Sequence, residues 1–253
     1  MRQDYLPADR PWCGTIMAMD WNQIVDRMTP YVVKIETPNG FGTGFLCLHN
    51  EDRSMQGVAT AHHVVAHADQ WQQPLRVTQQ SSNTSFLAKE SDRVIFSDKA
   101  KDSAVILLFQ NELKFPEELI PLLPPNSNLP IGVEVGWLGF PGIAQDTLCF
   151  FSGSISARRI DGYFIDGVAI NGVSGGPVIY STVTDGIQIV GNISAYVPNY
   201  REGSTVLPGL SIAQDVSHFT RMASMIKSHD DARRQKLTQA IEAKSDPPPP
   251  TAE

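Results

Sequence analysis

The chain of 253 residues carries 20 Lys and Arg against 27 Asp and Glu, a formal net charge of −7, and 42% of its residues are hydrophobic. This length suffices for one compact unit with a full core, and no basic face appears apart from Arg233 to Lys236, so neither nucleic acid nor an anionic membrane is an expected partner. The longest apolar runs, such as Ala104 to Phe109, have the length of a strand and fall far short of a membrane-spanning helix.

The opening stretch MRQDYLPADRPW has acid and proline where a secretory signal needs an apolar segment, so a cytoplasmic location is expected. Asp20 to Met28 places Trp21, Ile24, Val25 and Met28 at helical spacing behind Asp20 as a cap, which predicts a short helix. From Tyr31 to Val216 the pattern changes to short Val-, Ile- and Phe-rich runs separated by Gly, Pro, Asn and Asp. Examples are YVVKIE, GTGFLCL, AVILLF, VEVGWLG and IQIVGNISAY. Such punctuation predicts an all-β fold of the barrel or sandwich type. PLLPPNSNLP, Pro121 to Pro130, is read as the connection between two β halves, where prolines stop the sheet.

Val216, Phe219, Met222, Ala223 and Ile226 then form one apolar helical face, followed by a polar stretch from Asp230 to Lys244 and the proline-rich end SDPPPPTAE. The expected domain spans residues 20–229, with a boundary near 116–130 and a polar helix and tail over 230–253. Cys13, Cys47 and Cys149 are odd in number and widely spaced, which reads as reduced thiols rather than a disulfide framework.

Three segments carry chemistry. In NGVSGGPV, Asn171 to Val178, a serine sits among glycines. A hydroxyl is a poor nucleophile without a base beside it and donors for the developing oxyanion, and glycines let main-chain N–H groups turn toward that charge. In GVATAHHVV, Gly57 to Val65, a strand-like run breaks at His62 and His63, leaving an imidazole at a sheet end. In KDSAVILLF, Lys101 to Phe109, Asp102 stands at the mouth of an apolar strand, where it can orient an imidazole; Asp98 is a rival. A metal site at His63 and His67 lacks acidic or cysteine companions, and no metal or organic cofactor is expected.

The chain order His, Asp, Ser is that of chymotrypsin-like enzymes. TAHHV resembles their TAAHC or NNHVV segment, KDSAVILL their DIALLKL strand and GVSGGP their GDSGGP or GNSGGP loop. IVDRMTPYVVKIETPNGFGTGFL, VEVGWLGFPG and GLSIAQDVSHF extend the resemblance to the HtrA/Deg-like branch from about Ile24 to Ile226, without a following PDZ domain. The resemblance implies a chymotrypsin-like double β-barrel and a serine endopeptidase acting on a protein or peptide substrate. It also implies a catalytic triad of His63, Asp102 and Ser174, with the Gly172 and Ser174 N–H groups as oxyanion hole. By the same likeness Val168 and Ala169 form the base of the primary specificity pocket and Ile193 to Tyr196 one wall. Ser194 supports the aspartate, and Ile193, Ser194 and Ala195 pair with substrate as an added strand. An apolar floor points to cleavage after small or medium apolar residues, although Asp166 lies two positions from it.

The pattern departs from the family in three places. Val173 stands where trypsin-like zymogens keep an acid for a new N-terminal amine, so activation by such an ion pair is not expected, and the site is either constitutive or ordered by substrate or a regulatory partner. Val64 replaces a disulfide cysteine, in keeping with a reducing compartment, and His62 replaces a small residue. These departures leave open a catalytically silent binding or regulatory module. GVSGG followed by Asp215 and His218 also fits an α/β-hydrolase esterase, which requires a helix directly after the serine.

Overall fold

The computed structural model describes residues 19–125, 127–201 and 205–245; the opening stretch, Cys13 and the proline-rich end lie outside the described residues. The first half is an antiparallel sheet of seven strands: β1 (Val32–Thr37), β2 (Gly40–His49), β3 (Met55–Thr60), β4 (Leu75–Gln79), β5 (Thr84–Ala88), β6 (Arg93–Asp98) and β7 (Ser103–Phe109), in the order β5-β4-β1-β2-β3-β7-β6. The second half is a closed barrel of β8 (Glu134–Gly139), β9 (Cys149–Arg159), β10 (Gly162–Asp166), β11 (Pro177–Thr182), β12 (Gly186–Arg201) and β13 (Thr205–Asp215), in the order β10-β13-β12-β11-β8-β9. The double-barrel architecture expected from the sequence is therefore present, with the first barrel open between β5 and β6. Arg93 spans that seam, its buried guanidinium donating to the Ala88 carbonyl at 3.1 Å and the Ala68 carbonyl at 3.3 Å.

The continuous apolar run of β7 reflects burial of both its faces. Side chains alternate across a strand, so Val105 and Leu107 join the large core shared with the barrel, while Ala104, Ile106 and Leu108 fill the interior of the first sheet. Three helices cover the outside. In α1 (Trp21–Met28), Ile24 and Met28 are buried, and the Trp21 ring lies 5.1 Å from that of Phe150 on β9. The strand break expected at the histidines is present, β3 ending at Thr60, and the chain then enters α2 (His62–Gln70) at once, a helix the sequence pattern does not announce, with Ala61 as the extended cap residue. Val65 and Ala68, three apart on one helix face, are buried there and anchor α2 to the first sheet.

The apolar face and the polar stretch near the C-terminus form one helix, α3 (Ser217–Ser245). Its first turns pack Phe219 edge-on against Phe45 of β2, with ring centroids 5.7 Å apart, and bury Met222 and Ile226. The polar half stays near the β2–β3 turn through Arg233–Asp52 and Arg234–Glu51 ion pairs, exposed contacts that contribute little to stability. No helix among the described residues is long and apolar enough to cross a membrane. The connection from Pro121 holds one surprise: the Leu123 N–H donates to the Ile189 carbonyl at 2.8 Å, and the Ile189 N–H donates to the Pro121 carbonyl at 2.8 Å. Sheet pairing thus reaches into the proline-rich segment as a single parallel bridge, because Leu123, unlike the prolines, has an N–H to donate and the Pro121 carbonyl can still accept.

Candidate active site

The site forms where the two halves meet. Asp102 closes the turn before β7, its N–H facing the Lys99 carbonyl at 3.4 Å, and takes a left-handed conformation with φ 44°. Asp tolerates this region better than most residues. Its Oδ1 accepts the His63 backbone N–H at 3.0 Å and its Oδ2 meets His63 Nδ1 at 2.9 Å. A carboxylate only accepts, so Nδ1 carries the proton and the Nε2 lone pair is left for other work. Burial alone raises the Asp102 carboxyl, but hydrogen bonds from His63 and Ser194, with the His63 charge, hold it below its ordinary value.

Ser194 reaches the same carboxylate with its hydroxyl, 2.5 Å from Oδ2. It does so because β12 is irregular here: Ile193 pairs with Ala213 and Ala195 with Ile212, so Ser194 is the extra residue of a bulge. A bulge re-aims a side chain, and this one turns the hydroxyl toward the first sheet. The neighbouring pair Ser103 and Asn192, hydrogen-bonded at 3.1 Å between buried side chains, ties β7 to β12 beside it.

Ser174 lies in the loop before β11 and shares with His63 and Asp102 a cleft of about 440 Å³. The hydroxyl and the imidazole both line this cleft and are not hydrogen-bonded to one another, a contact that in such sites often tightens only when substrate is bound. Much of the loop's backbone is held by hydrogen bonds. The Asn171 carbonyl accepts from Gly142 N–H at 2.6 Å, Val173 N–H donates to Ile170 O at 3.0 Å, Gly175 N–H to Ile193 O at 2.6 Å and Gly176 N–H to Val173 O at 2.9 Å. The N–H groups of Gly172 and Ser174 have no acceptor among the described residues. A trans peptide sets its N–H opposite its carbonyl, so the anchored Asn171 and Val173 carbonyls fix the direction of both free donors.

The glycines around the serine are required by geometry. Gly172 has φ 94°, and a Cβ there would lie 2.3 Å from the Phe140 carbonyl; Gly175 has φ 85°, and a Cβ would lie 2.1 Å from the Thr43 carbonyl. Val173 is fully buried and faces Gly139, so the position of the zymogen acid is filled by an apolar core side chain. Val64 packs against Gly42.

Ala169, Ile193, Ser194, Ala195 and Tyr196 line the cleft with Ser174, whereas Val168 does not and is 47% exposed. Of the two residues expected at the base of the pocket, Ala169 is therefore on the cleft and Val168 is not: as the chain leaves β10, Gly167 packs on the Trp137 ring and the Val168 side chain is exposed. Asp166 is also exposed and outside the cleft. His62 does not line it, and its Nδ1 is buried without a hydrogen bond. His67 Nδ1 meets Gln73 Oε1 at 3.1 Å. Asp98, the rival aspartate, accepts from Arg221 at 3.2 Å and from Lys101 N–H at 3.2 Å, away from the cleft.

The esterase arrangement is not present. A strand, β11, follows Ser174 and its glycines where that fold needs a helix. Asp215 accepts from Ser217 N–H at 2.9 Å, and His218 is held between the Phe96 carbonyl at 3.0 Å and Arg221 at 2.9 Å; neither lines the Ser174 cleft. Burial of the His218 ring, with the Arg221 and Lys101 charges opposing Asp98, lowers its pKa from the ordinary 6.5. The unfolded chain therefore takes up this proton first as pH falls below 6.5, and stability drops from there toward the folded value. His218→Gln, which keeps a donor for Phe96, is expected to flatten that part of the profile; melting temperatures of both proteins from pH 7.5 to about 5 check it.

No residue-level motif singled out Thr43. It is fully buried on β2 and touches the serine loop twice, its N–H donating to Ser174 O at 2.8 Å and its hydroxyl to Gly172 O at 2.8 Å. The GTGF run marked the strand but carried no sign of this contact, which depends on a fold partner 129 positions away.

No protein-family model and no curated protein matches the chain. Solved structures do. Rv3671c protease from M. tuberculosis H37Rv in its inactive form is 22% identical with a TM-score of 0.55, over 81% of this chain and 93% of that one. Its inactive serine-to-alanine mutant is 20% identical with the same TM-score, over 81% and 90%. The serine endoprotease from Yersinia pestis is 21% identical with a TM-score of 0.58, over 82% of this chain and 66% of that one, so the chain spans just under two thirds of it. The chain shares the double-barrel fold of these serine proteases.

Proposed function

We propose that this protein is a serine endopeptidase working through an acyl-enzyme, with Ser174 as nucleophile, His63 as general base and acid, and Asp102 as the group that orients the imidazole. The observation that carries this reading is the convergence of Ser174 with the His63–Asp102–Ser194 hydrogen-bonded chain on one cleft, beside two unpaired backbone N–H groups. Ser174 Oγ attacks the scissile carbonyl carbon while His63 Nε2 takes its proton. The new oxyanion is stabilised by the Gly172 and Ser174 N–H groups, whose directions are fixed before substrate arrives. His63 then gives the proton to the departing amine, and a water molecule repeats the cycle on the acyl-enzyme to release the acid.

Ile193 to Ala195 present a strand edge on which a substrate backbone can lie antiparallel. Apart from Asp102 and the imidazole of His63, no carboxylate or basic side chain lines the cleft's wall among the described residues, and Ala169 and Ile193 make that wall apolar. This supports cleavage after small or medium apolar residues. The buried Val173 supports a site that forms without an N-terminal ion pair.

A fluorophosphonate probe tests the nucleophile. Labelling of the wild-type protein at Ser174, confirmed by peptide mass, with none in Ser174→Ala is the expected result. An intact protein that stays unlabelled under forcing conditions would sink the peptidase reading in favour of a silent protease fold.

A further inference from the structure

We infer that Thr43 is a positioning residue for the oxyanion-binding loop, through which the first sheet fixes the catalytic geometry of the second; this rests on the peptidase reading. Thr43 sits in β2, with no exposed surface, and each of its polar groups is engaged with the site. Its hydroxyl donates to the Gly172 carbonyl at 2.8 Å and accepts the Phe140 N–H at 3.0 Å. Its N–H donates to the Ser174 carbonyl at 2.8 Å, and its carbonyl accepts the Thr60 hydroxyl at 2.7 Å, close to where the chain turns toward His63. The hydroxyl is thus a buried two-way link between the carbonyl just after one oxyanion donor and the β8 end of the barrel.

The consequence follows from the backbone around Gly172. The 171–172 peptide is held at its carbonyl by Gly142 N–H, and the 172–173 peptide at its carbonyl by the Thr43 hydroxyl and at its N–H by the Ile170 carbonyl. With both planes anchored, the two torsions of Gly172 are set, and so is the aim of its N–H. A glycine at φ 94° has no side chain to resist rotation, so these anchors supply what sterics do not, and the Thr43 hydroxyl is the one among them that reaches over from the first sheet. Without the hydroxyl, Gly172 O and Phe140 N–H lose a buried partner, and the loop can recover hydrogen bonds only by turning. Substrate contacts along Ile193 to Ala195 are untouched by this change.

The test compares Thr43→Val, Thr43→Ser and Thr43→Ala with the wild type, on a chromogenic peptide with a small apolar residue before the scissile bond. The expected result is a fall in kcat of roughly 10- to 100-fold for Val and Ala with KM within about threefold, against roughly wild-type kcat for Ser, given the large worth of single oxyanion donors. A peptide boronate, which forms a tetrahedral adduct, should lose affinity in step with kcat. The matching peptide amide should bind the Ser174→Ala protein equally well with and without Thr43→Val. If the valine variant does not fold, the alanine variant decides on the same measures, since it removes the hydroxyl without forcing a methyl into its place. Wild-type kcat in the hydroxyl-free variant, or an equal loss in Thr43→Ser, overturns the inference and leaves the peptidase reading intact. A wild-type protein that neither labels nor cleaves overturns both.

Discussion

Replacing Ser174 with alanine is expected to lower kcat/KM on a peptide substrate by about four to six orders of magnitude, and His63→Ala by a similar amount. The double variant should be no worse than either single one. A nucleophile without its base and a base without its nucleophile are equally idle, so the two losses do not add. The hydrolysis that survives comes from the free Gly172 and Ser174 N–H groups and from the strand edge at Ile193 to Ala195, which neither substitution touches. Peptide binding to the Ser174→Ala protein, measured by fluorescence anisotropy, should accordingly stay within about threefold of the wild-type KM where chemistry is the slow step. Additive losses in the double variant would show that the residues act separately and would remove the base role of His63.

The parts of this architecture that were legible in the sequence are those whose cause is local. The strands β1, β2, β3, β6 and β7 announce themselves because β-branched runs stop at Gly, Asn and Asp turns, whereas the more polar β4 and β5 carry no such run. Phe219, Met222 and Ile226 read as a helix face because their spacing matches one side of a helix. The helix α2 was missed for the opposite reason: HHVVAHAD has only Val65 and Ala68 to bury, too short a pattern to stand against the preceding strand. The open seam beside Arg93 was equally hidden, since no local pattern tells whether the two edges of a sheet meet.

At the site, His63, Asp102 and Ser174 were reachable through their motifs and Ser194 through the family resemblance, while the backbone irregularity that aims Ser194 and the contact made by Thr43 were not. Ser194 reaches Asp102 only because a bulge in β12 shifts it by one position, and a bulge depends on the register with β13. Thr43 reaches Gly172 only because the two halves dock. Val168 lies off the cleft for a reason of the same kind, since which way a side chain points just beyond β10 depends on the packing of its neighbours and not on a local pattern.

Asp102 is the place where electrostatics and backbone geometry can be separated, and the second large effect lies there. Asp102→Asn is expected to lower kcat by about four orders of magnitude with little loss of stability. The amide still tolerates φ 44° and still accepts the His63 backbone N–H through its oxygen. Its nitrogen, however, donates toward Nδ1 and stabilises the tautomer in which Nε2 carries the proton, so the imidazole can no longer receive one from Ser174. Asp102→Ala should share that loss for lack of an orienting group and add a backbone penalty of roughly 1–2 kcal/mol for a left-handed alanine. Ser194 and the His63 N–H also lose their common acceptor. Urea unfolding of the two variants then separates the roles: near-wild-type stability for Asn with a clear drop for Ala supports a carboxylate that acts on the imidazole. In the wild type the depressed carboxyl adds a small contribution of its own, which Asn and Ala both lose and the comparison between them therefore leaves out. It stays ionised below its ordinary value of 3.8, so its contribution to stability is complete above that pH and is lost only as pH falls through the lower folded value. Equal stability in Asn and Ala, or an Asn variant with wild-type kcat, would remove Asp102 from the mechanism and reduce it to a turn residue.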